Sequence, residues 1–358
     1  MRVLLKRTGI FLLFLLVVIC FAPSVVPPFL DRIYYEGPQS GHFDGAHFFN
    51  PGFARHEGGN PRSFFNRWAT GDGRAQWPDR VDVSPTIPAR RVLGSEMRVT
   101  WIGHASVLVQ TQGLNILTDP IWSDRASPFS FVGPRRVRAP GVRFDDLPKI
   151  DLVLISHNHY DQMDLPTLKR LWQRDRPTIV TSLGNDEILR GKGIKAQALD
   201  WKQSTKLGPA RVIAERNHHW SSRWGTDRDR ALWSAFTIEL AGGSIFFAGD
   251  TGWGDGQWAG EAMRGPVRLA ILPIGAYEPR DFMKTHHVNP EEAVRIFETL
   301  QPARALGIHW GTFQLTFEPI DEPRQKLRDL TRSRDIAPGR FLATEPGQGF
   351  SVPPLSGG

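Results

Sequence analysis

Cysteine is almost absent from this sequence: Cys20 is the only one in 358 residues. No intrachain disulfide can form, and the folded part of the chain has no cysteine-based metal site or thiol nucleophile. Any metal chemistry must rest on histidine, carboxylate and water. There is also no internal repeat at fixed spacing, no low-complexity tract, no recognisable nucleic-acid module and no concentrated basic helix. Nucleic acid is therefore not an expected partner, although the net charge is +7 and the isoelectric point about 9.8. A basic balance suits anionic lipid or anionic small molecules as well. The Lys and Arg residues are spread along the chain and read as a solvated surface, with one cluster at Arg135, Arg136 and Arg138.

The remaining composition is that of a globular protein, 40% hydrophobic and 23% charged, long enough for one large domain or two small ones. The first thirty residues read differently. Arg2, Lys6 and Arg7 precede an apolar run from Ile10 to Ala22, which Pro23, Pro27 and Pro28 then break. As a helix, Gly9 to Val26 would extend roughly 27 Å, just enough to span a bilayer. Basic residues ahead of it place the N-terminus in the cytoplasm and the rest outside. The expectation is a membrane-anchored protein with its folded domain on the extracytoplasmic (periplasmic) side. A cleaved signal peptide is the rival, with only a poor cleavage site at Cys20-Phe21-Ala22.

Residues 31–95 read as an extended arm wrapping a domain, pinned by Phe43, Phe48, Phe49, Phe53, Phe64 and Phe65. From 96 to 344 short β-branched runs alternate with turns and amphipathic segments. Strands are expected at Arg98–Trp101, Ser106–Gln110, Leu114–Leu117, Asp151–Ile155, Thr178–Thr181, Arg211–Glu215, Ala235–Leu240, Ser244–Ala248, Leu269–Pro273 and Ala303–Ile308. Helices are expected after Asp164, from Asp186 to Arg190, and after Asn289, whose stripe is Ala293, Ile296, Phe297 and Leu300. This order implies a layered α/β architecture of two mixed sheets covered by helices. The Gly- and Pro-rich tail, 345–358, reads as loose.

The chemistry concentrates at strand ends. Ser156-His157-Asn158-His159-Tyr160-Asp161-Gln162 directly follows an apolar strand. Histidines at i and i+2 with an aspartate at i+4 converge only where the backbone leaves a strand and turns. Neutral imidazoles with a carboxylate suit zinc, manganese or iron. Three further strands end in His218-His219, in Gly249-Asp250-Thr251-Gly252 and in His309. A lone histidine at a strand end is ordinarily structural; four strand ends presenting His or Asp together point to a metal site.

The order His157, His159, Asp161, His219, Asp250, His309 resembles the metallo-β-lactamase pattern. The motifs Trp101-Ile102-Gly103-His104-Ala105-Ser106, Leu117-Thr118-Asp119-Pro120, Ser156 to Asp161, Phe246 to Gly252, Pro273 to Arg280 and Ile308 to Phe313 resemble the N-acyl phosphatidylethanolamine-hydrolysing phospholipase D family. The resemblance implies an αβ/βα four-layer sandwich with two zinc ions, or one, in its cleft. His157, His159 and His219 would hold one ion, Asp250 would bridge, and Asp161 and His309 would hold the other. Asp119 would orient ligands, and His287 would act near the phosphate as substrate contact or proton donor. Tyr160 and Arg223 would face the substrate, an exposed ion pair being the alternative for Arg223. The family pattern has histidine where Gln162 stands, a weak neutral ligand, with His218 or His286 as compensating candidates.

The reaction so implied is phospholipase D-type hydrolysis of a phospholipid phosphodiester by a metal-activated water, with Asp161, Asp250 and His287 as the catalytic set. The expected partners are a phospholipid or other phosphodiester substrate, a membrane surface and a second copy of the chain in a homodimer. Two readings compete: a lactonase or other ester hydrolase on the same fold, and a non-catalytic membrane-anchored binding protein with Gln162 a sign of decay.

Overall fold

A computed structural model describes residues 6–18, 34–54 and 60–355. Residues 6–18 are helical (α1). Among the described residues no helix is long and apolar enough to cross a membrane. The second half of the expected span, residues 19–26, lies outside the described residues, as does the side chain of Phe65.

Two seven-stranded sheets face one another. In chain order the strands are β1 Met97–Gly103, β2 Ser106–Thr111, β3 Leu114–Thr118, β4 Leu152–Ile155, β5 Thr178–Ser182, β6 Gln197–Leu199, β7 Ser204–Leu207, β8 Ala210–Glu215, β9 Ala235–Glu239, β10 Ser244–Phe247, β11 Val267–Pro273, β12 Arg304–Ile308, β13 Phe341–Leu342 and β14 Gly349–Ser351. The first sheet runs β14-β1-β2-β3-β4-β5-β6 and the second β13-β12-β11-β10-β9-β8-β7. Both are mixed: β1 to β3 pair antiparallel and β3 to β6 parallel, while β7 to β10 pair antiparallel and β10 to β13 parallel. This is the expected αβ/βα sandwich of two helix-covered mixed sheets.

Strand β4 shows why the layers form. Leu152 and Leu154 enter the core between the sheets, with Val99, Val107, Phe236 and Phe246. Val153 and Ile155 point to the other face, where they meet Leu168 and Leu171 of helix α3 (Leu165–Asp175). A strand covered on both faces must be apolar at every position, and it is. Asp164 precedes α3, but its carboxylate does not cap it. It accepts from the Trp122 and Ser123 backbone N–H groups and from the Ser123 and Thr167 hydroxyls, tying the β3 exit loop to the helix.

Four short strands (β6, β7, β13, β14) and four helices carried too little periodicity to be read from sequence. The helices are α2 (Pro61–Thr70), α5 (Gln257–Glu261), α6 (Arg280–Met283) and α8 (Glu322–Ser333). Asn185–Arg190 (α4) and Pro290–Leu300 (α7) form where expected, α7 behind a capping box in which Asn289 and Glu292 satisfy each other's backbone N–H.

Two expectations are corrected here. As far as residue 355 the tail is not loose: β14 pairs antiparallel with β1, and Val352 is buried. The buried guanidinium of Arg268 donates to the carbonyls of Ser95, Val352 and Pro353, so the tail satisfies a charge that burial would otherwise penalise. Nor are all the clustered arginines solvated. Arg136 is buried, donating to the Ile121 carbonyl over the Phe313 ring, and buried Arg138 donates to the Gly311 carbonyl and Asp321. In the 34–95 segment Phe43 and Phe48 are buried against Leu232 and Trp233, while Phe64 stacks on Phe282.

Candidate metal centre

The site lies at the strand ends. The exits of β3, β4, β8, β10 and β12 deliver Asp119, then His157, His159 and Asp161, then His219, Asp250 and His309. His287 arrives on the loop between α6 and α7. Arg280 holds that loop by donating to the His287 carbonyl (2.8 Å) and pairing with Glu292 (2.9 Å). The turn after β10 requires glycine: Gly249 has φ +60°, and a Cβ there would lie 2.7 Å from the Ser156 Cβ. Asp119, His104 and His309 also hold positive φ values of 30°, 54° and 63°. Backbone strain of this kind persists where surrounding structure over-determines it.

Three groups of ligand atoms converge, each within 4.8 Å: His157, His159 and His219; His104, Asp161 and His309; His219, Asp250 and His287. In the first, His157 Nε2 and His159 Nδ1 are 2.7 Å apart. His219 donates its Nδ1–H to the His286 carbonyl (2.8 Å), which turns Nε2 inward as a lone-pair donor. Burial lowers the pKa of all three, His157 and His219 well below the ordinary value and His159 to about 4. They are therefore neutral, the protonation state a metal ligand needs. His159 Nε2, His219 Nε2 and Asp250 Oδ1 are buried with no hydrogen-bond partner. Buried polar atoms are ordinarily paired, so this donor set fits a divalent cation.

Asp119 acts on this group through Ser156. Its carboxylate accepts from the Ser156 backbone N–H (2.8 Å) and hydroxyl (2.6 Å). With its only hydrogen so committed, Ser156 Oγ accepts from His157 Nδ1 (2.9 Å), leaving Nε2 as the inward lone pair. Burial raises the Asp119 pKa well above the usual carboxylate range, against those Ser156 bonds.

The second group contains His104, which sequence reasoning did not assign. His104 Nε2 lies 2.8 Å from Asp161 Oδ2, and its ring is 4.1 Å from that of His309. The available signal was its place one residue past β1, another strand end presenting a histidine. Burial opposes ionisation of Asp161, but hydrogen bonds from His104 and His309 outweigh it and hold the carboxyl well below its usual range. Burial also opposes charge on His309; Asp250 and Asp161 outweigh it and push His309 up to about 10. The Asp250 carboxyl is raised by burial. Gln162 sits at the centre of this second group. Its Nε2 is 2.7 Å from Asp250 Oδ2, 3.1 Å from Asp161 Oδ2 and 3.1 Å from His309 Nε2.

The other expected residues separate. His287 joins His219 and Asp250, its Nδ1 unpartnered. Among the described residues neither His218 nor His286 joins a ligand group: His218 packs on Phe53 and His286 on Trp220. Among the described residues Arg223 makes no exposed ion pair. Its guanidinium donates to the Asn158 and Met163 carbonyls (2.8 and 3.0 Å) and covers the Tyr160 ring, bracing the ligand loop. Tyr160 and Arg223 line a cavity of about 810 Å³ with Met163, Leu165, Lys169 and Trp224. The arm contributes too: Asn50 donates to the His219 carbonyl (2.8 Å) and accepts from Trp233 Nε1 (3.2 Å).

Two facing mixed sheets with buried His and Asp clusters at their strand ends define a metal-dependent hydrolase of the metallo-β-lactamase type. Residues 114–310 match the beta-lactamase superfamily domain. The chain is 36% identical over 292 residues to the N-acyl-phosphatidylethanolamine-hydrolyzing phospholipase D 1 of Caenorhabditis elegans, covering 75% of this chain and 82% of that one. It is 30% identical over 308 residues to the mitochondrial N-acyl-phosphatidylethanolamine-hydrolyzing phospholipase D of Saccharomyces cerevisiae, 78% of this chain and 66% of that one. The fold is shared with Igni18, a metallo hydrolase of Ignicoccus hospitalis, at a TM-score of 0.53 and 22% identity, covering 72% and 98% of the two chains. The chain thus belongs to the metallo-β-lactamase superfamily, alongside these phospholipase D relatives.

Proposed function

We propose that this enzyme hydrolyses the phosphodiester bond of N-acyl phosphatidylethanolamine or a similar phospholipid, releasing an N-acylethanolamine and a phosphatidic acid. The observation that carries the reading is the three-histidine group with Asp250 beside it, in which His159 Nε2, His219 Nε2 and Asp250 Oδ1 are buried and unpartnered. His157, His159, His219 and Asp250 would hold zinc. When bound, zinc supplies a Lewis acid and lowers the pKa of water to about 7. The chain's own groups do the rest. Asp119 and Ser156 fix the His157 tautomer, and the His286 carbonyl fixes that of His219. His287, buried 5.2 Å ring to ring from His219 and kept neutral by that burial, would contact the phosphate.

A lipid substrate is supported by the surface beside Tyr160. Ser127, Pro128 and Trp224 line the large cavity, and the same loop exposes Phe129, Phe131 and Val132, with Phe131 78% exposed. Lys169 and Lys192 border it, a setting suited to acyl chains below and phosphate at the rim. In the same reading the N-terminal apolar segment holds the chain at a membrane with this domain on the extracytoplasmic side. The test is product analysis on mixed vesicles containing N-acyl phosphatidylethanolamine. Phosphatidic acid and N-acylethanolamine should form, and His219→Ala and Asp250→Asn should lose at least about a hundredfold in rate, the scale of removing one charge-stabilising group. Release of a carboxylate product without phosphate-ester cleavage would replace this reading with an ester hydrolase.

A further inference from the structure

Gln162 is fully buried, and its side-chain nitrogen is the hub of three groups that the family resemblance gives to a second metal. Nε2 lies 2.7 Å from Asp250 Oδ2, 3.1 Å from Asp161 Oδ2 and 3.1 Å from His309 Nε2. Zinc binds oxygen and nitrogen ligands at about 2.0–2.2 Å. An ion within that reach of all three atoms, on the face where the amide nitrogen sits, would overlap that nitrogen. We propose that the Gln162 amide occupies the second cation position, so that this enzyme's centre takes one metal ion where the family pattern implies two. The inference rests on the metal-hydrolase reading above and narrows it.

The chemistry of the amide agrees with the geometry. An –NH2 group carries two donors and no acceptor, and here it faces two carboxylate oxygens. With the amide turned over, its oxygen would confront both carboxylates, so the hydrogen-bond network sets the orientation. The positive end of the amide dipole thus does part of what a cation would do, joining Asp161 to Asp250. Asp161 Oδ2 is further satisfied by His104 Nε2 at 2.8 Å and His309 Nε2 at 3.3 Å. Three nitrogens from the protein surround the oxygen that a second ion would need.

The first position is untouched by this arrangement. Gln162 contacts none of His157, His159 and His219 through a hydrogen bond, and it engages only one oxygen of Asp250. The other, Asp250 Oδ1, is buried and has no partner. The two halves of the site therefore differ in kind. One presents unpartnered lone pairs toward a common point, and in the other a donor of the protein stands among the would-be ligand atoms, with Gln162 Oε1 left unpartnered.

The experiment is metal content by mass spectrometry on the full chain, equilibrated with excess zinc and desalted through a weak chelator. The expected result is one zinc per wild-type chain and close to two for Gln162→His, which replaces the donor with an imidazole lone pair. Two zinc ions per wild-type chain would overturn the proposal. One ion in both proteins would overturn the assignment of the exclusion to Gln162. No zinc in the wild type would instead overturn the metal-centre reading itself. Should Gln162→His not fold, the wild-type count still decides, with His219→Ala, which removes a ligand of the first position and should retain no zinc, as the control.

Discussion

Ser156 has one hydroxyl hydrogen and two demanding neighbours. Because Asp119 takes the hydrogen, the oxygen is left to accept from His157, and the ring nitrogen facing the cleft is fixed as a lone pair. Ser156→Ala should therefore keep the fold and weaken zinc binding about 10- to 100-fold, the usual effect of removing a group that orients a ligand. Competition titration against a chromophoric chelator measures it; unchanged affinity would show that Asp119 and Ser156 only support the backbone. Much of the site was legible at this scale, because His157, His159, Asp161, His219, Asp250 and His309 each follow a readable apolar strand. His104 and Ser156 were not assigned as site groups. A histidine or serine at one strand end is ambiguous until the sheets bring the other ends to it. The bracing role of Arg223 was not legible for the opposite reason: sequence shows a cation but not the carbonyls to which it donates.

At the scale of elements, strands and helices with strong periodicity were readable and short edge elements were not. β14 is three residues in a Gly- and Pro-rich tail, and no local pattern says that it will pair with β1 some 250 residues earlier. Its place is set by tertiary contacts, chiefly Val352 in the core and the carbonyls that satisfy Arg268. Removing residues 346–358 should leave that buried guanidinium short of two acceptors. At roughly 1.5–3 kcal/mol per hydrogen bond to a charged group, the loss is at least about 3 kcal/mol. Thermal melting of the truncated protein reports it, and an unchanged midpoint would show that the tail is dispensable. The arm acts similarly on function: Asn50 reaches from it to the His219 carbonyl, a connection no spacing rule foretells.

For the whole molecule, the buried histidines make stability depend on pH. His159 at about 4 and His286 at about 3 are depressed by burial below the ordinary 6.5. Their contribution is complete above pH 6.5 and is lost as pH falls through those values. His309, raised to about 10, contributes in the other direction, fully below pH 6.5 and progressively less as pH rises to 10. The chelator-treated protein should melt highest near pH 6.5 and lower on both sides, as a fluorescence melt across pH 4 to 10 would show; a flat profile contradicts it. The exposed Phe129 and Phe131, 5.5 Å apart, belong to this scale as well. Each phenyl ring buried in lipid is worth about 1.5–3 kcal/mol. Replacing both with serine should weaken vesicle binding at least about tenfold in a sedimentation assay, leaving the melting temperature unchanged.

The central claim is hydrolysis at phosphorus by this metal-dependent centre. Its most direct test is turnover of N-acyl phosphatidylethanolamine vesicles in water enriched in oxygen-18, with and without chelator. The account predicts one heavy oxygen in the phosphate of the phosphatidic acid, with activity abolished by chelator and restored by zinc. Heavy oxygen in a released fatty acid, or turnover indifferent to chelator, would contradict it.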